Sequence, residues 1–146
     1  MADVRETSAT DRETAIELWA AAGLSRPWND PGDDFDRALA GPTSAVLGAF
    51  AGDALVGTVM VGHDGHRGWV YYLAVDPAVR RGGVGRRLMA AAERWLQARG
   101  VPKLNLMVRH DNAAAVAFYE RLGYADGQVT VLGKFLGPGG EGTSPD

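Results

Sequence analysis

The stretch from Tyr71 to Arg99, YYLAVDPAVRRGGVGRRLMAAAERWLQAR, constrains the fold more than any other part of the chain. An apolar, strand-like run ends at Asp76-Pro77. A loop bearing Arg80, Arg81, Gly82, Gly83 and Gly85 follows, and a helical pattern begins near Val84. This order sets the first amides of a helix just beyond a strand. Those amides lack internal partners and the helix dipole is positive there, so the place suits an anion. Arg80, Arg81, Arg86 and Arg87 lie within eight residues of one another in a chain whose net charge is −3. A cluster of arginines is commonly just a solvated face. The glycines beside this one favour a specific phosphate site, because they let a ligand approach the backbone closely.

The 146 residues are 46% hydrophobic and 23% charged, which fits a single globular domain, expected over 1–136. The last residues, 137–146, have nothing apolar to bury and read as a disordered tail. An acidic chain gives no sign of a general nucleic-acid binder. Without cysteine there is no thiolate metal site and no acyl-cysteine intermediate; no metal is implied. No apolar run approaches the roughly 20 residues of a membrane span and no secretory signal is visible, so no membrane partner and a cytoplasmic location are expected.

Periodicity places the elements. A short strand is expected over 3–7. Thr10 and Glu13 have capping-box spacing ahead of a helix carrying Ala15, Ile16, Trp19 and Ala22 on one face, closed by Gly23. The loop RPWNDP leads to a short helix near 33–40. Strands at 44–51 and 54–62 form a hairpin, and a strand at 69–75 follows. The glycine loop opens a helix over about 84–99 that ends at Gly100. Leu104, Leu106 and Val108 alternate as in a strand. A helix over 112–122 is expected to bury Ala115, Val116, Tyr119 and Leu122, and a last strand region spans 128–136. Hairpins first and helix-separated strands later imply an α/β fold. Its central mixed sheet, of six or seven strands, carries helices on both faces.

A dinucleotide-binding reading fits poorly, because the G-x-G-x-x-G order directly after the strand is missing. The motif Arg80-x-x-Gly83-x-Gly85 after LAVDPAVR resembles motif A of the GCN5-related N-acetyltransferases (GNAT). Asn112-x-x-Ala115-x-x-Phe118-Tyr119-Glu120-x-x-Gly123-Tyr124 resembles motif B of the same family. RPWNDP, DGHRG and YYLAV are similar to a small bacterial branch, the YpeA-type acetyltransferases, whose substrate the resemblance does not assign.

The resemblance implies the GNAT fold and acetyl-coenzyme A (acetyl-CoA) as donor. The amides of Arg81, Gly82, Gly83, Val84, Gly85 and Arg86 would cradle its pyrophosphate, with Arg80, Arg81 and Arg86 offsetting charge. The pantetheine arm would lie along the strand as an added strand does, and the main chain of Leu73, Ala74 and Val75 would hold the thioester. Asn112 would contact the arm, although a helix cap explains it equally well. Tyr119, by its face a core residue, would by the resemblance protonate the departing thiolate.

The acceptor side is less defined. Histone-acetylating relatives carry a glutamate where this chain has Trp69, and relatives that acetylate a ribosomal protein carry one where it has Met107. Trp28, Asp30, His66, Trp69, Tyr71 and Met107 are the substrate-binding candidates, with His63, Asp64 and Tyr72 nearby in sequence. Tyr71 and Tyr72 should point to opposite faces, one packed under a helix. A loop histidine is more often simply exposed, and Trp28 is equally well a core anchor for its loop. The expected reaction is direct acetyl transfer to a primary amine in a ternary complex, with water carrying away the amine's proton. The acceptor would be a small-molecule amine in preference to a peptide, and the protein a monomer or homodimer. Protein acetylation and a non-catalytic acyl-CoA-binding module are the rival readings.

Overall fold

A computed structural model of the protein describes residues 2–137. The chain divides after Leu106 into two compact units.

The first unit contains a five-stranded sheet in the order β1 (Asp3–Glu6), β2 (Ser44–Ala51), β3 (Ala54–His63), β4 (Gly68–Val75) and β5 (Leu104–Asn105). β1 to β4 pair antiparallel, whereas β5 pairs parallel to β4, so the sheet is mixed. The hairpin between β2 and β3 turns at Gly52, whose φ of +64° only glycine adopts without strain.

Three helices pack on this sheet: α1 (Arg12–Ala21), α2 (Pro31–Ala40) and α3 (Val84–Gln97). The chain enters α1 through a 3-10 turn, Ala9–Asp11. The Ser8 amide donates to Asp11 Oδ2 at 2.9 Å, so the entry contact forms at Ser8 and Asp11 rather than at the expected Thr10 and Glu13. α2 has Pro31 at its first position and is capped by Asp30, whose carboxylate accepts the Asp33 N–H at 3.1 Å. Trp19 of α1 and Phe35 of α2, both fully buried, join Val46, Phe50 and Leu55 in one apolar cluster. α3 covers the opposite face. There a Cβ added to Gly57 would come within 3.1 Å of Val84 and Leu88, so this glycine lets helix and sheet approach closely. Helices therefore lie on both faces, as expected.

Among the described residues five strands form, not the expected six or seven. Of 104–108, only Leu104 and Asn105 pair, with Gly68 and Trp69. Residues 128–136 form no strand, and Val129, Val131, Leu132 and Leu136 are 60–89% exposed. Alternating apolar residues supply β-propensity, but a strand also needs a neighbouring edge to take up its amides and carbonyls.

The second unit begins at Met107 and contains α4 (Ala113–Arg121). Asn112 caps α4 by accepting the Ala115 N–H at 3.1 Å, and Gly123 follows the helix with φ +97°. Val116, expected in the core, is 38% exposed. Apart from Gly137, the tail 137–146 lies outside the described residues.

Candidate active site

The loop between β4 and α3 is shaped by its own backbone bonds. The Asp76 N–H donates to the Val56 carbonyl at 2.8 Å, and the Asp76 carboxylate accepts the Ala78 N–H at 2.9 Å, which stabilises a 3-10 turn at Pro77–Val79. Arg81 and Gly83 then take left-handed φ values of +72° and +78°. Gly83 is the residue preceding α3, and no side chain caps the helix there. The Arg87 N–H donates to the Gly83 carbonyl at 3.0 Å. The amides of Val84, Gly85 and Arg86 precede it and so lack intrahelical partners. α2 and α4, by contrast, are closed by Asp30 and Asn112.

Charge surrounds this open helix end. Arg80, Arg81 and Arg86 are exposed, whereas Arg87 is half-buried. Arg87 Nη1 reaches back to the Gly82 carbonyl at 3.4 Å, and its buried Nε has no hydrogen-bond partner. Patterning had marked Arg87 only as one of a cluster; its contact with the loop is visible only in three dimensions.

β4 itself is irregular and half open. Its register against β3 runs Gly57↔Val75 and Thr58↔Ala74, then shifts to Met60↔Tyr71. Tyr72 and Leu73 together oppose Val59, which is a β-bulge. Tyr72 has φ +54°. On the other edge, pairing with β5 stops at Trp69↔Asn105, so no strand among the described residues pairs with 70–75 on that side. Leu73 and Val75 are half-buried and Ala74 is buried. An open strand edge leading to an uncapped helix N-terminus can take an extended, amide-bearing arm that ends in phosphate. Coenzyme A has that chemistry, and the residues fit it.

The remaining candidates are dispersed. Tyr72 stacks on Trp19 of α1, as expected for the ring packed under a helix. Tyr71 is 41% exposed and pairs with Met60, which packs against the same cluster as Tyr72, so the bulge interrupts the expected alternation of the two rings between faces. His66 is exposed in the turn between β3 and β4, where the Asp64 carboxylate accepts the His66 and Arg67 amides at 2.9 and 2.8 Å. Trp69 is half-buried near the start of β4. That end lies about 20 Å of strand from the glycine loop, so His66 and Trp69 are not brought to it. Asp30 serves as the cap of α2. Trp28 is half-buried with its indole N–H unpaired. Within the second unit, Met107 is 38% exposed. Tyr119 meets Phe118 and Tyr124 edge-on at 5.1 and 5.9 Å, and burial pushes its phenol above the ordinary value.

A model of the acetyltransferase (GNAT) family matches residues 11–124. The chain belongs to the GNAT acetyltransferase family. It is 45% identical over 134 residues to an acetyltransferase of Yersinia enterocolitica, covering 92% of this chain and 95% of that protein. Among solved structures, aminoglycoside acetyltransferase AAC(6')-Iy with a coenzyme A bisubstrate analogue aligns with a TM-score of 0.80 at 18% identity. That alignment covers 93% of this chain and 99% of the other, and at this identity it speaks to the fold. An Escherichia coli acetyltransferase acting on a ribosomal-protein alanine aligns with a TM-score of 0.73 at 28% identity, covering 84% and 77%. The GNAT chain is thus an acyltransferase. Among its described residues no group of three or more His, Cys, Asp or Glu is placed to hold a metal, and no helix is long and apolar enough to cross a membrane.

Proposed function

We propose that this GNAT protein transfers acetyl from acetyl-CoA to a primary amine, by direct attack within a ternary complex. The observation that carries the reading is the uncapped start of α3 behind left-handed Gly83, following the open edge of β4. In this reading the amides of 81–86 hold the pyrophosphate and Arg80, Arg81 and Arg86 balance its charge. The main chain of Leu73–Val75 orients the thioester and stabilises the developing oxyanion.

Tyr119 is the proposed acid. Its burial-raised phenol stays protonated at neutral pH. An alkyl thiol ionises near 8.5, so full proton transfer from such a phenol to the thiolate is uphill. Tyr119 therefore acts chiefly by donating a hydrogen bond to the leaving sulfur, with solvent completing protonation. The amine's proton leaves through water, since the positions held by glutamate in protein-acetylating relatives carry Trp69 and Met107 here. That difference favours a small-molecule acceptor over a peptide.

The test is an amine and peptide panel assayed by coenzyme A release. Turnover with small primary amines supports the proposal, and turnover confined to peptides moves the assignment to protein acetylation. Acetyl-CoA binding without turnover on any acceptor would make the protein a non-catalytic acyl-CoA-binding module.

A further inference from the structure

Tyr72 departs from strand geometry. A bulky residue at φ +54° crowds its Cβ against the following carbonyl, and such residues persist only where their surroundings over-determine them. Here the surroundings do so from both backbone and ring. Trp19 Nε1 donates to Thr58 Oγ1 at 2.8 Å, and the Thr58 hydroxyl donates to the Tyr72 carbonyl at 3.0 Å. Trp19 and Thr58 are both 0% exposed. The Tyr72 ring stacks on Trp19, with centroids 3.9 Å apart and planes 14° from parallel. The Tyr72 hydroxyl donates to Asp34 Oδ2 at 2.7 Å, while Asp34 Oδ1 accepts from Arg37 at 2.8 Å. α1 and α2 thus grip one residue of β4, and it is the first residue of the bulge opposite Val59.

Were Tyr72 to relax to ordinary strand geometry, the register beyond it would slip by one residue and every later group would face the other way. Leu73–Val75 would be re-aimed first. We infer that Trp19, Thr58, Tyr72 and Asp34 form a positioning network that holds the β4 bulge in the geometry needed for acetyl transfer. Thr58 and Asp34 act through Tyr72. The inference rests on the proposed function, because it takes Leu73–Val75 as the group that orients the thioester.

The test compares Tyr72→Phe, Asp34→Asn, Thr58→Val and Thr58→Ser with the parent. It measures melting temperature, acetyl-CoA affinity, and kcat and KM with the best acceptor of the panel. Misplacement by about 1 Å at a reacting centre can lower a rate roughly a hundredfold. Thr58→Val is expected to lose about that much kcat, and Tyr72→Phe and Asp34→Asn about tenfold, each with acetyl-CoA affinity within about threefold of the parent. Thr58→Ser, which keeps the hydroxyl, should restore kcat to within about threefold. A merely structural role would lower the melting temperature and leave kcat unchanged well below it. Folded Tyr72→Phe and Thr58→Val proteins that turn over like an active parent overturn the inference alone. If Thr58→Val does not fold, Tyr72→Phe decides. A parent that neither binds acetyl-CoA nor releases coenzyme A overturns the function reading and this inference with it.

Discussion

Replacing Gly83 with valine separates the backbone's role from the role of space. A Cβ at this position would sit 3.6 Å from Arg87 Nη1, an ordinary contact, so there is room for it. The obstacle is φ +78°. Left-handed geometry costs a non-glycine residue about 1–2 kcal/mol, and a β-branched one is a true outlier there. If the loop keeps its shape, the melting temperature falls by about 3–8 °C. If it relaxes instead, the amides at the start of α3 leave their alignment. Two hydrogen bonds to a charged phosphate contribute about 1.5–3 kcal/mol each. Their loss weakens acetyl-CoA binding a hundredfold or more, by roughly tenfold per 1.4 kcal/mol. Gly52→Val is the control, because Gly52 has φ +64°, open space around a Cβ, and a place in the β2–β3 turn. Calorimetric titration of acetyl-CoA into both variants, with their melting curves, reads the two effects separately. If Gly83→Val binds as tightly as Gly52→Val, the assignment of this loop to the phosphates is refuted.

Other outcomes follow from the same geometry. Tyr119→Phe should lower kcat by about a hundredfold, the scale of a lost hydrogen bond of roughly 1.5–3 kcal/mol to a developing thiolate, with acetyl-CoA affinity nearly unchanged; an unaffected rate removes it from that role. Because burial holds the Tyr119 phenol above its ordinary value, the stability it contributes is complete below pH 10 and is lost as pH rises through the folded-state value. An alkaline ultraviolet titration of the parent and of Tyr119→Phe should therefore differ by one late-ionising phenol. Gly68→Ala would drive a Cβ into the Leu96 side chain, destabilising the first unit by about 1–3 kcal/mol; an unchanged melting temperature would contradict this packing. The Asp64 carboxyl is held below its ordinary value by accepting the Arg67 and His66 amides. The order of that turn is complete above the ordinary carboxylate value and is lost as pH falls through the depressed one, which amide exchange at His66 and Arg67 can follow.

Much of this architecture could be read from local chemistry. β2 and β3 match their expected limits to within a residue, because alternation and the glycine turn at Gly52 agree. The start of α3 at Val84 follows from the glycines and the apolar face behind them. Where a second partner decides the outcome, patterning fails. Residues 128–136 have the alternation of a strand but pair with nothing among the described residues. The Ser8–Asp11 pair and the Thr10–Glu13 pair share one spacing, and only the folded chain distinguishes them. Tyr72 is the clearest case at the site. Nothing local favours φ +54° in a tyrosine, and the residues that enforce it, Trp19, Asp34 and Thr58, are remote in sequence. Trp69, an acceptor-side candidate by family resemblance, lies at the start of β4, and His66 lies in the turn before it, both at the far end of the strand from the glycine loop.

Acetyl-CoA is assigned to the open start of α3 and to Leu73–Val75 of β4. A thermal melt with acetyl-CoA at about a hundred times a micromolar dissociation constant tests that assignment most directly. Ligand linkage at that ratio stabilises the folded state by about 2.7 kcal/mol. For a chain of this size the melting temperature should rise by roughly 5–10 °C, with a smaller rise in Gly83→Val. A midpoint unmoved by acetyl-CoA in the parent would contradict the account.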